Sequence, residues 1–160
     1  MPLAHVSLPV SSLSESTAFY TTLLAPLGYG IYLSLEETVG MGPKYGAPDF
    51  WLHHCPKEKE GEKEGVSKTH ICFSASSQKQ VKAFYEAGLK AGGKDNGKPG
   101  ERNYTKGYYA AYVLDLDGNN VECLYYQPLW LTAMQYAPSI LGAAAVGAVA
   151  WWGGNAGWGL

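Results

Sequence analysis

The 160-residue sequence has little charge, few cysteines and no long, strongly hydrophobic segment. Charged residues make up 16% of the chain and the formal net charge is -2, so the basic surface needed for nucleic-acid binding is excluded. The three cysteines are an odd number and none forms a CxxC motif, which argues against a disulfide framework. Together with the lack of a secretory signal, they indicate reduced thiols in a cytoplasmic protein.

The C-terminal part of the sequence contains no charged residue from Cys123 to Leu160. Its most apolar stretch, Ala137–Gly154, consists mainly of Ala and Gly, whereas a membrane span needs about 20 strongly apolar residues with anchoring charges. Membrane association through this tail is therefore disfavoured. We expect an uncharged apolar extension over residues 129–160 that packs on the body or on a partner subunit. A poorly ordered tail and a partner-binding element are the alternatives.

Two segments of the chain repeat each other at a displacement of 65 residues. His5–Ser12 lies over His70–Ser77, and the Ala-Phe-Tyr triplet at 18–20 lies over the same triplet at 83–85. Self-similarity of this kind indicates one supersecondary unit used twice. Because each copy begins with a histidine, the repeat also predicts that two ligand side chains are related by pseudo-symmetry.

Each copy has the pattern of one βαβββ module. An apolar run of strand length precedes an S-x-x-E/Q capping box, which starts at Ser12 in the first copy and at Ser77 in the second. Apolar residues then recur at helical spacing until Gly28 and Gly92-Gly93, which predict the helix ends. Further strand-like pieces follow, while Asp95–Lys106, rich in Gly, Asn and Pro, is predicted to be a loop with at most one short strand.

These patterns predict an α+β fold in which two tandem βαβββ modules form a curved mixed sheet around a metal cleft. The modules are expected at about residues 3–55 and 68–127, joined by a charged, solvated linker over 56–66. Together they make one domain over 1–128, followed by the apolar extension.

Three side chains carry the chemical prediction. His5 and His70 start matched strands, and Glu122 is the one carboxylate in the apolar strand Asn120–Tyr126. A buried carboxylate is costly unless it is paired or bound to a cation. Each residue alone also suits a structural role, but two imidazoles and one carboxylate together are the ligand set of non-haem Fe(II) oxygenases. We therefore predict a divalent metal ion, with Fe(II) as the first expectation and Zn, Mn or Ni as alternatives.

The chain resembles the vicinal oxygen chelate superfamily, which includes glyoxalase I, extradiol dioxygenases, fosfomycin-resistance enzymes and bleomycin-resistance proteins. The resemblance covers about Leu3 to Gln127. It is carried by the segments at 5–10, 48–51, 70–75 and 107–122 and by the two Ala-Phe-Tyr helices. It implies metal ligands on the first and last strands of each module, which are His5, His70 and Glu122 here. The fourth family position falls on Trp51, which is not a ligand.

The resemblance also implies roles for residues around the metal. Tyr112 precedes Glu122 by ten residues, the spacing of an active-site tyrosine in extradiol dioxygenases, and is expected to be catalytic; the alternative is a tyrosine packed in the sheet. His53 shares a strand face with Trp51 and could also be a fourth ligand or an acid/base. The expected substrate contacts are Trp51, His53, Arg102, Asn103 and Tyr104.

The function implied is that of a metal-dependent enzyme of the dioxygenase, lyase or isomerase type. Its substrate is expected to be a small molecule with adjacent oxygens that chelates the metal. The sequence leaves open whether the cleft closes within one chain or across a homodimer. The stretch Arg102–Gly107 lacks the acid/base histidine of the extradiol dioxygenases, which speaks against ring cleavage. The alternatives are a non-catalytic small-molecule binder resembling bleomycin-resistance proteins, and a protein whose tail binds a partner.

Overall fold

The computed structural model describes residues 3–55, 68–128 and 130–131. The chain divides into two compact units, Met1–Tyr126 and Gln127–Leu160, and all helices and strands named below belong to the first unit. The charged linker predicted over 56–66 and nearly all of the extension predicted over 129–160 lie outside the described residues. Within the described ranges, no helix has the length and apolar character needed to cross a membrane.

The described residues form two modules with the same order of elements, which confirms the predicted α+β fold with tandem βαβββ modules. The first module contains β1 (Val6–Val10), α1 (Leu13–Leu24), a 3-10 turn (Ala25–Leu27), β2 (Tyr29–Ser34), β3 (Thr38–Pro43) and β4 (Phe50–His54). The second contains β5 (His70–Ser74), α2 (Gln78–Lys90), β6 (Lys94–Glu101), β7 (Tyr108–Leu114) and β8 (Asn120–Tyr126).

Each module has its own four-stranded mixed sheet. The strand orders are β1-β4-β3-β2 and β5-β8-β7-β6. In both sheets the first strand pairs in parallel with the last, and the remaining pairs are antiparallel. The first and last strands of a module therefore lie side by side, so residues far apart in sequence become neighbours.

Both helices begin at the predicted capping boxes. The Ser12 side chain accepts a hydrogen bond from the Glu15 amide, and the Ser77 side chain accepts one from the Gln80 amide. These bonds satisfy amide groups that have no partner inside the first helical turn. Gly28 and Gly92 follow the helical segments with φ of 81° and 99°, a left-handed conformation that glycine adopts without a steric penalty.

The segment Asp95–Lys106, predicted as a loop with at most one short strand, contains one strand, β6, which spans the eight residues Lys94–Glu101. Its sequence, Lys-Asp-Asn-Gly-Lys-Pro-Gly-Glu, has neither apolar alternation nor β-branched residues. The strand forms because it is the edge strand paired with β7, where a proline and register irregularities can be accommodated. Pairing with a neighbour, rather than local propensity, determines this strand.

The two modules share one apolar core between the helix-covered faces of their sheets. Phe50 of β4 packs against Phe73 of β5 with ring centroids 5.3 Å apart, and Tyr20 of α1 packs on Phe50 at 5.0 Å. The hydroxyl of Tyr20 donates to the Asp115 carboxylate at 2.6 Å, so the first helix is bonded to the end of β7. The residues preceding α1 are also bonded to this turn, since Ser11 donates to Asp117 through its amide and its hydroxyl.

Tyr20→Phe should destabilise the protein because it removes one donor from a buried carboxylate. Tyr20 is fully buried and Asp115 is 6% exposed, so water cannot replace the lost bond without rearrangement. We expect the free energy of unfolding to fall by about 1–3 kcal/mol in urea denaturation. Tyr32→Phe removes a hydroxyl from a side chain that is 63% exposed and is the matched control. Equal stability of the two variants would show that the bond does not join the modules.

Candidate functional site

A buried carboxylate on the last strand of the second module is the centre of the candidate site. Glu122 is 4% exposed although it lies on the sheet face opposite the helices. Its Oε2 lies 3.0 Å from Nε2 of His70, and its Oε1 accepts a hydrogen bond of 2.7 Å from the Tyr108 hydroxyl. The parallel pairing of β5 with β8 positions these groups, since it places the start of β5 beside Glu122.

Three groups around Glu122 hold their protons tightly. Burial and a hydrogen bond to Glu122 raise the pKa of Tyr112 to about 12. Burial, followed by its hydrogen bond to Glu122, also raises the pKa of Tyr108 well above its usual range. Burial and the negative charge of Glu122 raise the pKa of the Cys72 thiol to about 12. At neutral pH these groups are therefore neutral; Tyr108 donates to the carboxylate, whereas the Cys72 thiol donates to the Phe73 carbonyl.

The other ring nitrogen of His70 is also bonded. Asn120, the first residue of β8, places its side-chain nitrogen 3.1 Å from Nδ1 of His70. Asn96, at the register irregularity of β6, donates to the side-chain oxygen of Asn120 at 3.0 Å. A chain of hydrogen bonds therefore runs from the edge strand through His70 to Glu122.

His5 lies in the first module, just before β1. Its ring contacts Trp51 edge-on, with centroids 6.3 Å apart. His5 and His70 both line a cleft of about 500 Å³ at the first strands of the two modules, together with Asp49 and Cys72. The two histidines therefore border the same cleft, whereas Glu122 is not among its lining residues.

Trp51 is the structural counterpart of Glu122. Trp51 pairs with Ser7 across β1 and β4, while Glu122 pairs with Cys72 across β5 and β8. Ser7 and Cys72 are 65 residues apart, so the register repeats between the modules. The Trp51 ring lies directly over Gly40, where an added Cβ would come within 2.8 Å of it. An indole lying on a glycine therefore occupies, in the first module, the position that the carboxylate has in the second.

The remaining histidines are bonded within the first module. Nδ1 of His53 lies 2.8 Å from the Ser7 hydroxyl, which directs the opposite ring edge away from β1. Nδ1 of His54 lies 3.1 Å from Glu37, and the ring is at the surface. His53 is therefore positioned on the open face beside Trp51, as its strand position predicts.

Three of the predicted substrate contacts, Arg102, Asn103 and Tyr104, directly follow the end of β6. Arg102 donates to the carbonyls of Lys98 and Ala110 and lies over the Tyr112 ring, with its guanidinium carbon 5.0 Å from the centroid. Tyr104 is 74% exposed and contacts Tyr108 edge-on at 5.3 Å. Arg102 thus packs on the face of the Tyr112 ring, whereas Asn103 is exposed at the surface.

Sequence reasoning missed Tyr108, Cys72 and Asn120, all of which contact the His70–Glu122 pair. A signal for Cys72 was present, since it lies two residues after His70 and therefore on the same strand face. The side-chain bonds of Asn120 and Tyr108 depend on the register of β5, β7 and β8, which the sequence does not display.

Two side chains of one chain, His70 and Glu122, have the spacing of two neighbouring ligands of a metal ion. Two ligand atoms about 2.1 Å from a cation and at right angles to each other lie about 3.0 Å apart, as Nε2 of His70 and Oε2 of Glu122 do. The same distance suits a direct hydrogen bond. Among the residues that the structure describes, no three His, Cys, Asp or Glu side chains are grouped closely enough to hold one ion. Within the described residues, His70 and Glu122 are thus the two side chains whose spacing would suit one ion.

Tyr112→Phe should remove a stabilising contribution that depends on pH. Because the folded protein raises the pKa of Tyr112 from 10.0 to about 12, the neutral phenol stabilises the folded state below about pH 10 and loses this effect as the pH approaches 12. The difference in unfolding free energy between wild type and variant should thus be constant up to about pH 10 and then shrink. Urea denaturation across this range measures it. Tyr45→Phe, in a side chain that is 92% exposed, is the control, and an unchanged difference near pH 12 would contradict the raised pKa.

Comparisons with known proteins agree with this architecture. The model of the Glyoxalase/Bleomycin resistance protein/Dioxygenase superfamily matches residues 3–123. A glyoxalase/bleomycin resistance protein from Albidiferax ferrireducens T118 is 29% identical with a TM-score of 0.61, covering 78% of this chain and 98% of its own.

Two more distant structures share the fold. A glyoxalase/bleomycin resistance protein/dioxygenase family enzyme from Burkholderia phytofirmans PsJN is 17% identical, with a TM-score of 0.60 and coverage of 79% and 100% of the two chains. A glyoxalase-related enzyme from Fulvimarina pelagi is 18% identical, with a TM-score of 0.57 and coverage of 78% of this chain and 88% of its own. No curated protein matches the chain. With the family model matching most of its length, this chain belongs to the Glyoxalase/Bleomycin resistance protein/Dioxygenase superfamily.

Proposed function

We propose that this protein is a metal-dependent enzyme whose substrate is a small molecule with two adjacent oxygens. His70 and Glu122 of one chain would hold a divalent cation, Fe(II) as the first expectation, and His5 of a second copy would supply the third ligand. The observation that carries the proposal is the 3.0 Å separation of Nε2 and Oε2, with the carboxylate buried beneath the tyrosines. The lack of a third ligand in the described part of one chain favours a centre shared between two copies.

A bound divalent cation would act as a Lewis acid that stabilises negative charge on the substrate oxygens. Tyr112 would serve as a proton donor or orienting group rather than a base, because its pKa of about 12 keeps the phenol protonated at neutral pH. The edge-on pair of Tyr104 and Tyr108 borders the same face and offers an apolar wall for the body of the substrate. Trp51 and His53 of the second copy's first module would then cover the substrate.

Metal content tests the ligand set. Protein purified without chelator should carry about one divalent ion per chain, and Glu122→Gln and His70→Ala should each lose it because the remaining ligands are too few. His54→Ala is the matched control, since His54 is a surface histidine bonded to Glu37. Elemental analysis of gel-filtered samples measures the ratio. Full metal content in both ligand variants would disprove the proposal.

A mixing experiment tests whether the centre is shared. His5→Ala and Glu122→Gln should each bind no metal alone, whereas a refolded equal mixture should recover about a quarter of the wild-type content. Half of the dimers would be mixed, and each mixed dimer would hold one intact site of two. Wild type refolded together with His54→Ala is the control and reports losses due to refolding. If the mixture binds no metal although it forms dimers, the shared site is wrong.

A second candidate function is non-catalytic binding of a small aromatic molecule. The observation that favours it is that protein donors already bind both oxygens of Glu122, so the carboxylate requires no cation. Nitrocatechol is a suitable probe because it has adjacent oxygens and an absorbance that changes on binding. Affinity that is unchanged by EDTA would favour the binder, and affinity lost in EDTA but restored by Fe(II) or Zn²⁺ would favour the metal centre.

A further inference from the structure

The hydrogen bonds on both sides of the His70 ring run in one direction. Asn96 donates to the side-chain oxygen of Asn120, which leaves the nitrogen of Asn120 facing Nδ1 of His70. An amide nitrogen only donates, so Nδ1 must accept. In a neutral imidazole the proton then resides on Nε2, the nitrogen 3.0 Å from the Glu122 carboxylate.

We propose that Asn120 is a positioning residue for His70: its amide, held by Asn96, keeps the ring proton on Nε2 and directs it at Glu122. The other tautomer, with the proton on Nδ1, is disfavoured because the Nε2 lone pair would then face the carboxylate, and two acceptors would lie opposite each other. In this series of hydrogen bonds, Asn96, Asn120 and His70 each donate in the direction of the Glu122 carboxylate, so each bond polarises the next.

The position of this proton also affects metal binding, a consequence that rests on the proposed function. A cation at Nε2 needs the lone pair of that nitrogen, so the single ring proton of the neutral imidazole must move to Nδ1. The Asn120 amide must then turn over to present its oxygen to Nδ1, and the Asn96 bond is exchanged with it. Metal-ligating histidines usually donate their other N–H to a carboxylate or carbonyl oxygen, which strengthens the site. Asn120 therefore favours the metal-free form, and an acceptor in its place would favour the metal-bound form.

The test is ¹⁵N NMR of the histidine side chains in metal-free protein, with the His70 signals assigned by their loss in His70→Ala. In wild type, Nε2 should carry the proton and Nδ1 should have the shift of a hydrogen-bonded acceptor. In Asn120→Ala, the ¹⁵N chemical shift of Nδ1 should change to that of an unprotonated nitrogen that accepts no hydrogen bond from the protein. In Asn120→Asp, which has only acceptor oxygens, Nδ1 should gain a proton. A protonated Nδ1 in wild type, or unchanged His70 signals in both variants, would overturn the assignment.

Titration with Zn²⁺ separates this inference from the proposed function. Asn120→Asp should bind Zn²⁺ about ten-fold more tightly than wild type, following the usual effect of a carboxylate behind a histidine ligand. Gln78→Glu adds the same charge at the start of α2, on the helix side of the sheet, and should leave the affinity unchanged. If the NMR signals behave as expected but neither protein binds Zn²⁺, the positioning role of Asn120 stands and the metal centre is wrong. If Asn120→Asp and Gln78→Glu raise affinity equally, the effect is general charge and the metal consequence is wrong.

Discussion

The architecture of the candidate site follows from the burial of one carboxylate. A charged group removed from water is costly unless hydrogen bonds replace its hydration, and Glu122 is 4% exposed on the sheet face opposite α1 and α2. The fold meets this requirement from three strands: β5 provides His70, β7 provides Tyr108, and β8 carries Glu122 itself. The parallel pairing of the first and last strands of the module makes this convergence possible, because it aligns residues about 50 positions apart.

Duplication followed by divergence explains why the two modules have the same backbone fold but different side-chain chemistry. The register places Trp51 and Glu122 at equivalent positions, opposite Gly40 and Tyr112 on the neighbouring strands. A phenol opposite a carboxylate makes a polar pair, whereas an indole needs a glycine opposite it to lie flat on the sheet. The first module therefore offers an apolar surface and the second a polar one. The substrate class proposed above, with an apolar body and adjacent oxygens, would match this difference.

Much of the fold was predictable from the sequence because local rules and the repeat agree. The capping boxes at Ser12 and Ser77 follow from the displacement of 65 residues, the equivalence of Trp51 with Glu122 follows from matching the last strands of the modules, and the structure confirms both. The length and bounds of β6 were not predictable, because an edge strand without apolar alternation is held by its neighbour. The roles of Tyr108 and Asn120 were hidden for a related reason: side-chain bonds across strands depend on register, which a single sequence does not report. The grouping of His5 with Glu122 rested on the repeat and on the lone carboxylate of the last strand, which the family resemblance then matched, and it stays a prediction.

The bonds of Glu122 indicate how a metal-free carboxylate could become a ligand without rebuilding the site. Tyr108 occupies Oε1, whereas His70 approaches Oε2, so the two oxygens have separate partners. A cation placed between His70 and Oε2 would replace a single proton and leave the Tyr108 bond intact. Because the separation of these atoms already matches that of two neighbouring metal ligands, the exchange requires little movement of either side chain. Metal binding would then move the His70 proton from Nε2 to Nδ1, beside the Asn120 amide, while the Tyr108 bond would keep the carboxylate in place in both forms.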